Sequence, residues 1–458
     1  MAQIGYLADY DFSQWACVAM PRVRTSSREL PCAIALLPSK LSPVCGTPGG
    51  GNNAHYDKAT GDPESRTIDH AIPADRRGFM KSIAFYLPQF HPIPENDRWW
   101  GRGFTEWSNV AKARPSFRGH NQPQLPSDLG FYDLRLRETR IAQANLARQN
   151  GVGGFCYYHY WFNGKLLLEK PLEAVLDDEE PDFPFCVCWA NETWSRRWDG
   201  QDHQVLMKQD LDQYDADAHF DYLAKAFFDP RYIRVDGRPV FLIYRIDQFP
   251  DIRSTIQQWR AKARSLGLPG IYLGAVRSHM HSLTADETVA LGFDAIISFE
   301  PHKTTLRHQL ASSAVSHFVP RVTNLLTKGK GFITYDYAAL ARAAMEREQP
   351  AVRDFPCVIP SWDNSARKKY GAVVIQNDDA DLFETWLRDA ASRVSSYPED
   401  EQIVFINAWN EWAEGCHLEP DQRNGHRFLD AVRNVFGGAE ARQHAITTNG
   451  RSEATSGG

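Results

Sequence analysis

The stretch IVFINAWNEWAEGCHLEP, residues 403–420, changes from an apolar run into a group of polar and aromatic residues. Residues 404–406 form a continuous apolar run with β-branched members, of the kind that is buried on both faces of a parallel sheet. Asn410 and Glu411 follow shortly after this run, so we expect them just beyond the carboxyl end of the strand. The stretch therefore predicts a buried strand that leads directly into a candidate site.

The predicted strand in this stretch is IVFINAW (403–409). Seven similar apolar runs precede it, and segments with helical periodicity separate them, which makes eight strand–helix units. This alternation predicts an α/β fold, a (β/α)8 TIM barrel with long βα loops. A doubly wound sheet is the alternative, but no Gly-rich phosphate turn follows the first run. The seven runs are SIAFYL (82–87), GGFCYY (153–158), FPFCVCW (183–189), PVFLIY (239–244), GIYLGAV (270–276), DAIISF (294–299) and PCVIPS (356–361).

The two ends of the chain differ from this pattern. Residues 1–79 contain Pro, Ser, Gly and Asn clusters such as PSKLSPVCGTPGGGNN without a sustained period, which predicts a mostly disordered N-terminal extension. Residues 438–458 are similar and are predicted to be a disordered C-terminal tail. The barrel is therefore predicted to span residues 80–437.

The composition limits the classes of function. Hydrophobic residues make up 43% of the chain, charged residues 24%, and the formal net charge is −6, which argues for a packed core and against a nucleic-acid partner. No run approaches about 18 uninterrupted apolar residues, and the start MAQIGYLADYDFSQ lacks an export signal, so we predict a cytoplasmic protein without membrane insertion. The apolar surroundings of the thiols predict that four are free and buried: Cys156, Cys186, Cys188 and Cys357.

The segments after the predicted strands are rich in aromatic and polar residues. Of the 13 Trp residues, only Trp259 and Trp386 fall in helical segments. Aromatic faces interleaved with carboxylates and amides suit a sugar ring, and the carboxyl ends of barrel strands carry the chemistry. A single Trp or Tyr packs more often than it binds a ligand, so the prediction depends on their concentration. The predicted substrate-binding residues are Tyr86, Glu106, Trp107, Tyr158, His159, Trp189, Asn191, Glu192, Tyr244, Trp362, Asn410 and Trp412.

Glu411 and Glu414 are the predicted catalytic pair. If the chain forms a helical turn here, their spacing puts the two Cβ atoms about 5–6 Å apart on one face. Cleavage of a glycosidic bond needs one carboxyl group to protonate the leaving oxygen and another to act on the opposite side or on a neighbouring hydroxyl. Repulsion between close carboxylates raises the proton affinity of one of them, although the same spacing is also common on solvated helices. No HExxH motif appears, so neither a metal nor a cofactor is predicted.

Several motifs resemble a known group of proteins. NEWAEG (410–415) followed by LEP (418–420) resembles the NEWxEGxxxEP signature of glycoside hydrolase family 99 and its relatives. Four longer motifs resemble the WbsX-type, family 99-like branch, whose members occur with polysaccharide gene sets and are often labelled glycosyltransferases. They are FYLPQFHPIPEND (85–97), WWGRGFTEW (99–107), GFCYYHYWF (154–162) and CWANETWSRRWDG (188–200), and the resemblance covers residues 80–436.

The resemblance implies a (β/α)8 barrel and a metal-free, retaining, endo-acting hydrolase of α-mannoside-like linkages. By position, Glu411 would deprotonate the sugar's own 2-hydroxyl to form a 1,2-anhydro sugar, and Glu414 would protonate the leaving group. The residue between the two signature positions, often His or Gly in relatives, is Ala413 here, so any contact made by a His is absent. The loop after the first strand is richer in aromatic residues than in the founding hydrolases, which suggests another glycan.

Three functions stay open at this point. The preferred prediction is a glycoside hydrolase or transglycosylase that acts on an oligosaccharide or polysaccharide. The alternative is a glycosyltransferase of O-antigen or capsule synthesis, which would need a diphosphate site, although neither a Gly-rich turn nor a convincing DxD motif is present. The third is a non-catalytic glycan-binding barrel, which would keep the aromatic residues without depending on the two glutamates.

Overall fold

The computed structural model describes residues 80–196, 201–278, 283–302, 305, 332–368 and 371–438. The predicted N-terminal extension lies outside these residues, as does the predicted tail apart from Gly438, and both stay predictions. Within the described ranges, no helix is long and apolar enough to cross a lipid bilayer.

Eight parallel strands close into a barrel. In chain order they are β1 (Lys81–Tyr86), β2 (Gly154–Phe162), β3 (Phe185–Trp189), β4 (Arg238–Ile243), β5 (Tyr272–Val276), β6 (Ala295–Ser298), β7 (Asp354–Val358) and β8 (Ile403–Ile406). Each strand pairs with its neighbours in the sequence, and β1 pairs with both β2 and β8. The ring of pairings confirms the predicted TIM barrel and excludes a doubly wound sheet.

At least one helix follows every strand. The helices are α1 (Pro94–Trp100), α2 (Glu106–Lys112), α3 (Arg137–Gln149), α4 (Lys170–Asp178), α5 (Ala216–Phe228), α6 (Ile252–Ser265), α7 (Ala285–Ala290), α8 (Tyr337–Met345), α9 (Ala380–Val394) and α10 (Arg427–Phe436). The first three all lie between β1 and β2. Asp215, Asp251, Asp336 and Asp379 cap the first turns of α5, α6, α8 and α9 with their side chains, which stabilises the start of each helix.

Short strands also form within the loops. A three-stranded sheet joins Phe332–Asp336, Ala372–Gln376 and Trp362–Asp363, and a hairpin joins Trp194–Arg196 to Gln201–Met207. Asn410–Glu411 pairs antiparallel with Cys416–His417 just after β8. Lys165–Leu167 pairs with the end of β2, and Arg234–Val235 pairs with the start of β4.

All eight predicted strands are present, with shifted bounds. The largest shift is in β2, which continues to Phe162, four residues beyond the predicted end at Tyr158. The four predicted thiols are confirmed as free and buried.

Side chains alternate between the barrel interior and the surrounding layer. Phe85 stacks on Tyr158 with ring centroids 5.3 Å apart, and Phe299 meets Phe85 edge-on at 5.2 Å. Tyr244 in turn packs edge-on against Phe299 at 5.7 Å. These rings form an aromatic floor across the interior at the carboxyl ends of the strands, directly below the loops that carry the candidate site.

Candidate active site

The two predicted catalytic residues lie on a tight turn after β8. Residues Trp412–Glu414 form a single turn of 3-10 helix, as expected from the spacing of Glu411 and Glu414. Gly415 ends this turn with φ +55°, and a Cβ at that position would lie 2.9 Å from the Asp363 Cβ and 2.9 Å from the Gln124 Nε2. Both the backbone conformation and the lack of space therefore require glycine.

One arginine joins both glutamates to a third. The Arg367 guanidinium donates from Nη2 to Glu411 at 2.8 Å, from Nη1 to Glu414 at 2.6 Å and from Nε to Glu106 at 3.0 Å. Glu106 and Glu411 are 0% exposed and Glu414 is 1% exposed. Planar, bidentate-capable Arg suits this arrangement, because its donors are held in a fixed fork. The structure thus brings Glu106, Glu411 and Glu414 together around one positive charge.

The charges in this cluster do not balance when all groups are ionised. Burial raises the pKa of Glu411, and the neighbouring Arg367 opposes that rise without cancelling it. Burial likewise raises the pKa of Glu414, to about 8, with Arg367 again opposing and Glu411 reinforcing the rise. This raised pKa favours the protonated form of Glu414, which makes it the candidate proton donor of the cluster.

Each of the three carboxyl groups has an oxygen that is not engaged. Among the described residues, Glu106 Oε1, Glu411 Oε1 and Glu414 Oε2 are buried and have no hydrogen-bond partner. The Tyr158 hydroxyl is also buried without a partner among the described residues. Burial raises the pKa of its phenol, and the nearby Glu411 charge raises that pKa further. Buried polar atoms are nearly always satisfied, so a group of them in one place indicates room for a polar ligand or water.

Loops from distant parts of the barrel hold the cluster. Glu106 begins α2, and its backbone N–H donates to the carbonyl of Gln89. Arg367 follows a 3-10 turn that Asp363 caps by accepting from the Ser365 N–H. The other oxygen of Asp363 pairs with His120 Nε2 and accepts from the Gln122 amide, each at 2.7 Å. The loop after β1 therefore fixes the loop that carries Arg367. His120 and Gln122 belong to the loop after β1.

A buried network fixes the strand-eight turn from the other side. The Asn410 side chain accepts from the Leu87 N–H at 2.7 Å and donates to the Leu87 carbonyl at 3.1 Å, so it ties the turn to the end of β1. The Trp412 indole N–H donates to Glu419 at 2.6 Å, and Trp107 packs on Trp412 with centroids 5.6 Å apart. Asn410, Trp412 and Trp107 therefore support the turn, and sugar contact by them stays a prediction.

Three residues predicted to bind substrate face the helices instead of the barrel interior, and substrate contact by them stays a prediction. Tyr86 donates to Gln143 on α3, His159 pairs with His219 on α5 through their Nε2 atoms at 2.9 Å, and Trp189 packs edge-on against Trp259 on α6. Each lies on the outer side of the barrel wall because side chains of a strand alternate. Burial lowers the pKa of His159 to about 3, so this histidine is neutral and structural.

The remaining predicted residues lie around the interior end of the barrel. Asn191 exchanges two hydrogen bonds with the backbone of Arg245, and Glu192 pairs with the Arg245 guanidinium at 2.8 Å. Burial raises the pKa of the Tyr244 phenol, and the nearby charges of Glu192 and Glu414 raise it further. Trp362 is fully buried, and its indole N–H has no partner among the described residues. Glycan binding by these residues stays a prediction, and in the described ranges no cluster of His, Cys, Asp and Glu fits a metal ion.

Residues 82–432 match the sequence profile of a family described as glycosyltransferase WbsX. The chain belongs to the WbsX family. The predicted resemblance to the WbsX branch is confirmed.

Two curated relatives support the same grouping. Both are called uncharacterized protein WxcX and come from Xanthomonas campestris pv. campestris, strains B100 and ATCC 33913. Each is 43% identical over 358 residues, which is 77% of this chain and 49% of the relative. The WbsX chain thus spans about half the length of the curated relatives it matches.

Similar solved structures include one described as a glycoside hydrolase-like protein, with a TM-score of 0.47 and 13% identity over 78% of this chain and 94% of that chain. Another is the family 99 endo-α-mannosidase from Bacteroides thetaiotaomicron, with a TM-score of 0.46 and 13% identity over 79% of this chain and 97% of that chain. These likenesses concern the path of the chain, and the closed order of the strands establishes the barrel of this WbsX protein.

Sequence reasoning missed two residues of the WbsX site. Arg367 lies in the polar loop after β7, and nothing local distinguishes it from the neighbouring basic residues. Glu419 accepts hydrogen bonds from Trp412, Tyr132 and Gln143, and burial raises its pKa to about 7. Its position in the LEP motif was a usable signal, because a buried strand-end carboxylate needs donors to be stable.

Proposed function

We propose that this WbsX protein cleaves glycosidic bonds in an oligosaccharide or polysaccharide, with Glu414 as the general acid and Glu411 as the general base. One observation carries the proposal. Two carboxyl groups at the carboxyl end of a TIM barrel share one arginine, keep one oxygen each unengaged, and include a glutamate whose pKa is raised to about 8.

The proposed reaction has two steps and retains the anomeric configuration. Glu411 takes the proton from the 2-hydroxyl of the sugar, and that oxygen attacks the anomeric carbon. The bond from the anomeric carbon to the leaving oxygen breaks, and Glu414 gives its proton to that oxygen. In the second step Glu414 takes a proton from water, and the water oxygen attacks the anomeric carbon. The bond from the anomeric carbon to the 2-oxygen breaks, and Glu411 returns its proton to that oxygen. Both glutamates end in their starting protonation states.

Arg367 has a positioning role in this proposal. Its guanidinium favours the charged form of Glu411, which the base requires, while burial keeps Glu414 protonated. Glu106 also pairs with the guanidinium and takes no part in the proposed proton transfers. Because all three carboxyl groups are buried, entry of a sugar requires the side chains above them to move aside.

The surroundings of the pair favour a polyhydroxylated ligand. Sugar hydroxyls supply both donors and acceptors, and they match the unengaged glutamate oxygens, the Tyr158 hydroxyl and the Trp362 indole N–H. The aromatic floor formed by Phe85, Tyr158, Phe299 and Tyr244 offers apolar contact for the C–H faces of a ring.

Glycosyl transfer is the second candidate, because the family description names that activity. The same two glutamates would serve if a sugar hydroxyl replaced water in the second step. A transferase that uses a nucleotide-sugar donor would need the donor for any turnover, and this requirement separates the two candidates.

The test compares wild type with Glu411→Gln and Glu414→Gln on bacterial and yeast α-mannans and rhamnose-containing polysaccharides, with Glu384→Gln on helix α9 as the matched control. We expect wild type and Glu384→Gln to release reducing ends and the two site variants to release about 100-fold fewer or none. NMR of the first anomer formed tests retention. Turnover that needs a nucleotide sugar would support transfer, and equal glycan binding by all variants without turnover would refute catalysis.

A further inference from the structure

The loop after β1 carries a second group of polar and aromatic residues beyond the glutamate cluster. Gln89 and Asn96 are both 0% exposed, and neither amide has a hydrogen-bond partner among the described residues. A buried amide without a partner destabilises the fold, so two of them in one loop need a physical reason. Neither amide takes part in the reaction proposed for Glu411 and Glu414.

Aromatic rings connect these amides to the catalytic cluster. Burial raises the pKa of the Tyr160 phenol, and the nearby charge of Glu411 raises it further. The Gln89 amide lies beside the Tyr160 hydroxyl without reaching hydrogen-bonding geometry. Trp194 packs edge-on against Tyr160 at 5.1 Å, and Trp99 packs edge-on against Trp194 at 5.9 Å. The line of contacts therefore runs outward from the cluster to a tryptophan on α1.

The outer end of this line is accessible. Trp99 is half-buried, whereas Trp194 below it is 1% exposed and keeps an indole N–H without a partner among the described residues. Asn96 lies one helical turn before Trp99 on α1, so the amide and the indole share a face of the helix. An aromatic face beside unengaged amide and indole donors is the combination that binds a sugar residue.

We propose that Gln89, Asn96, Trp99 and Trp194 form a distal subsite that binds sugar residues beyond those at the bond cleaved by Glu411 and Glu414. This inference rests on the proposed function. It makes the substrate an extended glycan chain and predicts that chain length, in addition to the identity of the sugar at the cleaved bond, determines the rate.

The test compares Trp99→Ala and Asn96→Ala with wild type on a disaccharide and a hexasaccharide prepared from the polysaccharide that wild type cleaves. We expect each variant to lower the ratio of kcat/KM for the hexasaccharide to that for the disaccharide by about tenfold, which is the loss of one aromatic or amide contact. The matched control is Phe228→Ala, which truncates a 51%-exposed aromatic residue at the far end of α5. This control should leave the ratio unchanged.

Two further outcomes keep the inference separate from the proposed function. Cleavage by wild type with the same length ratio in Trp99→Ala and Asn96→Ala would overturn the distal subsite and leave the catalytic proposal intact. If wild type cleaves nothing, calorimetric binding of mannohexaose and mannobiose is compared instead. The subsite then requires tighter binding of the longer glycan by wild type and loss of that advantage in both variants, and equal affinities overturn it.

Discussion

Replacing Arg367 with Met removes the one positive charge that three buried glutamates share. Breaking a buried ion pair by removing one partner costs about 3–5 kcal/mol, because the other charge is left buried. Here the remaining partners can take up protons. The folded-state pKa values of Glu411 and Glu414 already lie above the usual 4.5 and should rise further in the variant.

The sign of the pH dependence follows from these shifts. A carboxyl group whose pKa is raised by folding contributes stability that is fully present below its unfolded pKa and is lost as the pH rises through its folded pKa. One additional bound proton changes the free energy of unfolding by about 1.4 kcal/mol per pH unit, or about 4 kcal/mol between pH 5 and pH 8. We therefore expect Arg367→Met to cost about 4 kcal/mol at pH 8 and about 1 kcal/mol or less at pH 5.

The assay is urea unfolding at the two pH values, followed by tryptophan fluorescence. Arg388→Met is the matched control, because Arg388 is 35% exposed and pairs with Glu384 one helical turn away. Its cost should be about 0.5 kcal/mol or less at both pH values. A cost for Arg367→Met that is the same at pH 5 and pH 8 would refute the view that this arginine offsets buried carboxylate charge.

Three other predictions concern single side chains. Glycan cleavage should decline as the pH rises through about 8, because Glu414 must be protonated. In Glu414→Gln, turnover of an aryl glycoside with a good leaving group should lack that decline. A decline that persists in this variant would exclude Glu414 as the acid. Glu419→Gln should lower the free energy of unfolding by about 1–3 kcal/mol, since one of its three donors loses its acceptor, and unchanged thermal unfolding would contradict this. Tyr158→Phe removes a buried hydroxyl that has no partner among the described residues, so the variant should unfold at the same temperature as wild type or higher. It should cleave glycan about tenfold more slowly. Lower stability with normal turnover would show that the hydroxyl stabilises the fold.

The strands could be predicted from sequence because a parallel barrel buries both faces of each strand, and continuous apolar runs result. Their exact length could not. Strand β2 continues to Phe162, so His159 belongs to the strand and faces α5 instead of the site. Tyr158, one residue earlier, faces the interior. Without the exact end of a strand, the sequence does not indicate which side of the barrel wall a neighbouring side chain faces. Tyr86 and Trp189, like His159, face the helices for this reason.

The glutamate pair could be predicted because its members are three residues apart and share one local turn. The arginine between them could not, because its separation from Glu106 is 261 residues and from Glu411 is 44 residues. Only the closure of the barrel brings these three positions together. Ion pairs of this kind depend on tertiary structure, and no local period or composition indicates them.

The seam between β1 and β8 has a consequence for how the protein is made. The Asn410 side chain hydrogen-bonds to both the N–H and the carbonyl of Leu87, which lies 323 residues earlier in the chain. The segment after the last strand therefore completes the hydrogen bonding at the end of the first strand. While a ribosome is still adding the middle of the barrel, the Leu87 backbone lacks this partner, and neither Glu411 nor Glu414 has been synthesised. The cluster of three glutamates around Arg367 therefore assembles in one late step of biosynthesis, and a polypeptide released before that step lacks the cluster however much of the barrel it contains.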